Sequence, residues 1–97
     1  MNKKIYNILI TGASSGIGEA LAIYYAQQGI QNLFISGRDE NRLNNVAERC
    51  RKNGVEVYAK VIDVCDKNAM NNWIKECNQK AEINLVIANA GVSTGGL

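Results

Sequence analysis

Apolar residues along the chain fall into two alternating patterns. Short continuous runs alternate with stretches in which apolar positions recur every three or four residues. The first run, Tyr6-Asn7-Ile8-Leu9-Ile10, is rich in β-branched residues and closes at Gly12, which predicts a buried strand. Ile17, Leu21, Tyr24 and Tyr25 then fall at i, i+4, i+7 and i+8, one face of a helix that stops at Gly29. Leu33-Phe34-Ile35-Ser36 predicts a second strand, closed by Gly37. Asp39 can cap the next helix, its carboxylate accepting from amides of the first turn. That helix carries Leu43, Val46, Ala47 and Cys50 on one face and ends at Asn53-Gly54. Val55 to Ile62 predicts a third strand. Asp66 starts a third helix, with Met70, Trp73, Ile74 and Cys77 at i, i+3, i+4 and i+7. Leu85-Val86-Ile87-Ala88 predicts a fourth buried strand before the turn-prone Asn89-Ala90-Gly91.

The order is βαβαβαβ. Continuous apolar strands suit a parallel sheet covered on both faces, so the fold class is α/β with a Rossmann-like parallel sheet. Right-handed crossovers put the first two helices on one face. The third connection crosses to the other side of the first strand, which gives strand order 3-2-1-4. A ligand of such a sheet sits at the carboxyl ends of the strands around the switch point, here between strands one and four. The glycines at 12, 16, 18 and 91 lie in the turns at that point.

Composition narrows the chemistry. The 97 residues suffice for one small domain; 46% are hydrophobic and 21% charged, ordinary globular usage. A net charge of +2 gives no reason to expect nucleic acid or an acidic membrane as partner. There is no histidine, which removes histidine-ligated metal sites and Ser-His or Cys-His nucleophile pairs. Cys50, Cys65 and Cys77 form no C-x-x-C pair and predict reduced thiols in a cytoplasmic protein with no metal. No apolar run is long enough to span a membrane, and the basic start lacks the apolar core of a secretory leader.

The main chemical signal is Thr11-Gly12-Ala13-Ser14-Ser15-Gly16-Ile17-Gly18, which leaves a predicted strand and opens a predicted helix. Gly12 permits a tight turn, Gly16 lets a diphosphate approach the backbone, and Gly18 lets the helix pack close to the strand. The helix start offers unpaired amides and partial positive charge to an anion, and Ser14 and Ser15 add hydroxyl donors. The phosphate loop G-x-x-x-x-G-K-[ST] fails, because Ile17 and Gly18 stand where it needs glycine and lysine. The G-x-G-x-x-G spacing fails too, because Leu21 follows Gly16-Ile17-Gly18 where glycine is required.

The observed spacing, Thr-Gly-x-x-x-Gly-x-Gly, resembles the signature of the short-chain dehydrogenase/reductase family, over its N-terminal cofactor-binding portion. Arg38, twenty residues beyond Gly18, stands where the family selects ribose or 2′-phosphate. Asp63-Val64 ends the third strand; the resemblance implies that Asp63 holds the adenine amino group and Val64 lines the adenine pocket. Asn89-Ala90-Gly91 matches the family's Asn-Asn-Ala-Gly motif with Ala88 in place of the first Asn. The implied cofactor residues are Gly12, Ser14, Ser15, Gly16, Ile17, Gly18, Arg38, Asp63, Val64, Asn89, Ala90 and Gly91. The family's carboxylate that grips both ribose hydroxyls falls at Gly37 here, followed by Arg38, whose guanidinium can bind a 2′-phosphate. This favours NADP over NAD. Asp39 is an alternative ribose ligand, and Ser15 occupies the position of the family's other phosphate-binding basic residue.

The family transfers hydride between nicotinamide and a carbonyl or alcohol with a Tyr-x-x-x-Lys pair. Four residues after Tyr6, Tyr24, Tyr25 and Tyr58 stand Ile10, Gln28, Gly29 and Ile62, so no such pair exists in these residues. The expectation is therefore an N-terminal fragment of an NAD(P)-dependent oxidoreductase, inactive alone. The alternative is a non-catalytic nucleotide-binding or interaction module. In the fragment reading, residues 84–89 form an exposed sheet edge, and the chain is expected to self-associate through it. The runner-up is that Val92 to Leu97 folds back over that edge.

Overall fold

The computed structural model describes residues 5–89, so Ala90, Gly91 and the segment from Val92 to Leu97 lie outside the described residues. Its elements are β1 (Asn7–Thr11), α1 (Gly16–Ala26), β2 (Asn32–Gly37), α2 (Glu40–Arg51), β3 (Glu56–Val61), α3 (Lys67–Lys80) and β4 (Leu85–Ala88). The four strands form one parallel sheet in the order β3-β2-β1-β4. Element order, sheet order and strand direction are those the sequence predicts.

The two faces of the sheet carry two cores, as the period-two alternation of side chains requires. Ile8, Ile10, Leu33 and Ile35 point to one face and pack with Leu43, Val46, Ala47 and Cys50 of α2 and with Ala22 and Ala26 of α1. Leu9 and Phe34 point to the other, where Trp73 and Cys77 of α3 close over them. Phe34 stacks on Tyr58, ring centroids 5.1 Å apart. The first two helices thus share a face and the third lies opposite.

Helix starts follow the cap chemistry. Asp39 Oδ1 accepts from the Arg42 amide at 3.1 Å, and Asp66 Oδ1 accepts from the Ala69 amide at 3.0 Å. Each satisfies an amide that the first turn would leave unpaired.

Two expectations need correction. The inward face of α1 is not Ile17, Leu21, Tyr24 and Tyr25. Ile17 is 70% and Tyr24 53% exposed, while Gly18, Ala22 and Ala26 are buried. Small residues let the helix axis lie close to the sheet, and the larger side chains at Ile17 and Tyr24 turn outward; Leu21 and Tyr25 flank the buried stripe. The fourth strand is also not buried throughout. Leu85 and Ile87 are half-buried, and Val86 is 51% exposed, because β4 pairs with β1 on one side only among the described residues.

The opposite margin of the sheet is β3. The amides of Glu56 and Ile62 donate to the Gln31 and Gly37 carbonyls at 3.0 Å, so even-numbered residues bond to β2 and odd-numbered ones face outward. Arg51 Nη2 donates to the outward carbonyl of Val57 at 2.9 Å, while its Nη1 pairs with Glu48 at 2.7 Å. The guanidinium therefore covers an acceptor that an incoming strand would use.

Candidate functional site

The parallel register brings the carboxyl ends of all four strands to one end of the sheet. Thr11 lies beside Ala88, and Gly37 beside Val61. The described residues the sequence singles out lie in the loops leaving them or in the first turn of α1, and contacts join Gly12, Gly18 and Asn89 and bring Ser14 against Gly37.

The loop between β1 and α1 is tied down at three points. The Ala13 amide donates to the Ser36 carbonyl at 2.7 Å, which fastens the loop to the tip of β2. Asn89 Nδ2 donates to the Gly12 carbonyl at 3.1 Å, which fastens it to the end of β4. Thr11 Oγ1 donates to the Asn89 carbonyl at 3.4 Å. Two glycines make this closeness possible. A Cβ on Gly12 would collide with the Asn89 carbonyl, and a Cβ on Gly18 would collide with the Gly12 carbonyl. Asn89 thus acts through the turn geometry at this end of the sheet.

Gly16 is different. Its φ is +61°, the left-handed region that favours glycine, yet a Cβ there would meet nothing within 4 Å. It opens α1, and no side chain caps that helix, the preceding Ser15 included. The first turn of α1 thus has no side-chain cap and begins at a residue without a side chain, a chemistry that fits an anion such as a diphosphate. Ser15 and Ile17, on either side, are exposed, and Ser14 is half-buried.

Arg38 is exposed just past β2 and makes no ion pair among the described residues. Asp39 has one carboxylate oxygen committed to capping α2. Beyond β3, Asp63 Oδ1 accepts from the Cys65 amide at 2.9 Å, a local turn that shapes the chain after the strand, with Val64 half-buried inside it. The predicted Ala90 and Gly91 are outside the described residues. Among the described residues no group of three or more metal-ligating side chains occurs.

One feature escaped the sequence reading. Gly37 is buried, and a Cβ on it would lie 2.7 Å from Ser14 Oγ, 2.8 Å from Ser14 Cβ and 3.1 Å from the Ser14 amide nitrogen. The available signal was a glycine at the end of an otherwise bulky apolar strand. The Ser36 hydroxyl beside it is buried with no hydrogen-bond partner among the described residues.

A family model described as short chain dehydrogenase matches residues 6–97. An uncharacterized oxidoreductase of Staphylococcus saprophyticus is 35% identical over 86 residues, which cover 87% of this chain and 36% of that protein. Human short-chain dehydrogenase/reductase 3 is 32% identical over 90 residues, covering 92% of this chain and 30% of that one. The chain therefore spans about a third of the length of the curated relatives it matches. Among solved structures, a short-chain dehydrogenase from Sphingobium yanoikuyae in complex with NADPH superposes with a TM-score of 0.82 at 35% identity, covering 95% of this chain and 36% of that one. An NAD+-bound xylitol dehydrogenase superposes with a TM-score of 0.78 at 24% identity, covering 84% of this chain and 31% of that one, a likeness of fold alone.

Proposed function

The chain belongs to the short chain dehydrogenase family, and from that membership we propose that these residues form the dinucleotide-binding portion of an oxidoreductase. The whole protein would move hydride between NADP and a carbonyl or alcohol. The observation that carries this reading is the open space before Gly16 at the start of α1, in a loop fastened to both neighbouring strands. Amides from Ser14 to Gly18 would bind the pyrophosphate, with Ser14 and Ser15 adding hydroxyl donors. Asp63 and Val64 would receive the adenine, and Asn89 with Ala90 and Gly91 would border the nicotinamide side. The dinucleotide would donate hydride in its reduced form and accept it in its oxidised form, and the described residues would bind and orient it.

The preference for NADP rests on charge. Arg38 has no carboxylate partner among the described residues, which leaves its guanidinium available to a 2′-phosphate. The competing ribose ligand, Asp39, is engaged with the helix it caps. The NADPH complex of the Sphingobium relative is consistent with this choice. Calorimetric titration of the chain with NADPH, NADH and 2′-AMP tests the reading. Binding in the order NADPH over NADH, with 2′-AMP measurable, supports it; no binding of any of the three overturns it.

The proposed partner besides the dinucleotide is a second copy of the chain, docked at the free side of β4. Half-exposed Val86 borders a cleft of about 470 Å³ with Ile74 and Ile83, flanked by Lys75, Asn78 and Gln79, on the side of β4 where no strand pairs among the described residues. A cytoplasmic setting is proposed because all three cysteines are free. No described helix is long and apolar enough to cross a membrane.

A further inference from the structure

Gly37 does not need to be glycine for its backbone, since its φ lies outside the left-handed region. It needs to be glycine because Ser14 occupies the space where a side chain would go. The three contacts differ in kind. Rotating the Ser14 hydroxyl removes only the contact at 2.7 Å. The Ser14 Cβ at 2.8 Å stays for any residue at 14 except glycine. The Ser14 nitrogen at 3.1 Å is tight but within a few tenths of an ångström of ordinary contact.

The backbones cannot simply part. The Ala13 amide holds the loop to the Ser36 carbonyl at 2.7 Å, one residue before each partner in the clash. Ile62 holds the Gly37 carbonyl at 3.0 Å from the β3 side. Gly12 is pinned by Asn89 at the other end of the loop. Relief can come only from making residue 14 smaller.

We propose that Ser14 and Gly37 form a steric interlock that determines ribose selectivity: residue 14 denies residue 37 a side chain, and so denies the site a carboxylate at the tip of β2. The ribose end is then left to the Arg38 guanidinium. A carboxylate at position 37 would accept hydrogen bonds from ribose hydroxyls and repel a 2′-phosphate; a guanidinium does the reverse. Position 14 therefore sets selectivity through position 37. The ribose part of this inference rests on the dinucleotide reading, whereas the interlock does not.

The test separates the two. Urea midpoints are measured for the wild type, Gly37→Ala, Gly37→Asp, and Gly37→Asp combined with Ser14→Gly or with Ser14→Ala. Both single variants should lose stability. Ser14→Gly should restore most of the Gly37→Asp loss, and Ser14→Ala should not, because its Cβ remains. If Gly37→Asp fails to fold, the Ser14→Gly double variant should still fold. Wild-type stability in Gly37→Ala, or equal rescue by Ser14→Ala, overturns the interlock. Titration then uses 2′,5′-ADP and 5′-AMP. The wild type should favour 2′,5′-ADP by about tenfold or more, and the Ser14→Gly, Gly37→Asp chain should reverse that order. An unchanged order overturns the selectivity claim. Rescue of stability with no nucleotide bound by any chain overturns it too, and locates the failure in the dinucleotide reading.

Discussion

Asn89 and Gly12 meet twice: the side-chain Nδ2 of Asn89 donates to the Gly12 carbonyl at 3.1 Å, and the Asn89 backbone carbonyl lies where a Gly12 side chain would be. The pair couples the loops after β1 and β4, which are neighbours in the sheet and 77 residues apart in the chain.

Replacing Asn89 with Ala should therefore cost about 1–2 kcal/mol, the loss of a partly buried hydrogen bond with its acceptor left in place. Asn89→Asp should cost more at neutral pH, because it sets a carboxylate against the Gly12 carbonyl. Urea denaturation of the three chains checks the order.

Gly16 and Gly18, both in the first turn of α1, should lose different amounts of stability on replacement by alanine. Gly18→Ala drives a Cβ into the Gly12 carbonyl, a backbone atom that cannot swing aside, and should cost about 3 kcal/mol or more. Gly16→Ala meets open space and bears only the strain of a positive φ, about 1–2 kcal/mol. Thermal melts distinguish them. The Gly16 variant should nevertheless bind dinucleotide more weakly, since the methyl group fills the proposed cradle.

Arg38→Ala should weaken NADPH binding by about 10- to 100-fold, the value of a charge-assisted pair, and leave NADH nearly unchanged. Equal NADPH affinity of the two chains would remove Arg38 from the 2′-phosphate site.

Burial pushes the Cys77 thiol up to about 11, with the Glu76 carboxylate adding to the shift and Lys80 opposing it. Burial raises Cys50 as well. In the folded state these thiols hold their protons where the unfolded chain releases them. Stability from this source is complete below about pH 9, the ordinary thiol value, and falls as pH rises towards the folded value. For Cys77 the loss should approach about 2 kcal/mol by pH 11. Cys77→Ala should flatten that part of the curve, measured as urea midpoints from pH 8 to pH 11.

Val86→Lys should reduce self-association, because it adds a charge beside Ile74 and Ile83 on the side of β4 that pairs with no strand among the described residues. Sedimentation equilibrium over a wide concentration range reads the effect. A clean monomer for the unaltered chain at high concentration would remove the proposed second copy.

Much of this architecture was readable in advance, and the exceptions share one cause. Asp39 and Asp66 announced helix starts because capping is local. Leu43, Val46, Ala47 and Cys50 announced the buried face of α2 because polar residues surround them. The same reasoning picked the wrong face of α1, where the contact surface is Gly18, Ala22 and Ala26. Bulk marks a helix face only when the helix stands off from the sheet; here small residues bring it close. The Ser14–Gly37 contact was hidden for a related reason, since closeness between two loops leaves no mark on either one except a missing side chain.

The Arg51 guanidinium on the Val57 carbonyl gives this sheet a direction of growth. At one margin a residue of the chain's own covers a strand carbonyl, and at the other no strand among the described residues pairs with the outer side of β4. A strand that joined beside β4 would lie next to the loops that gather around Gly12. Lengthening the sheet and completing the site would then be a single event, so recruitment of new backbone could be read directly as a change in ligand affinity.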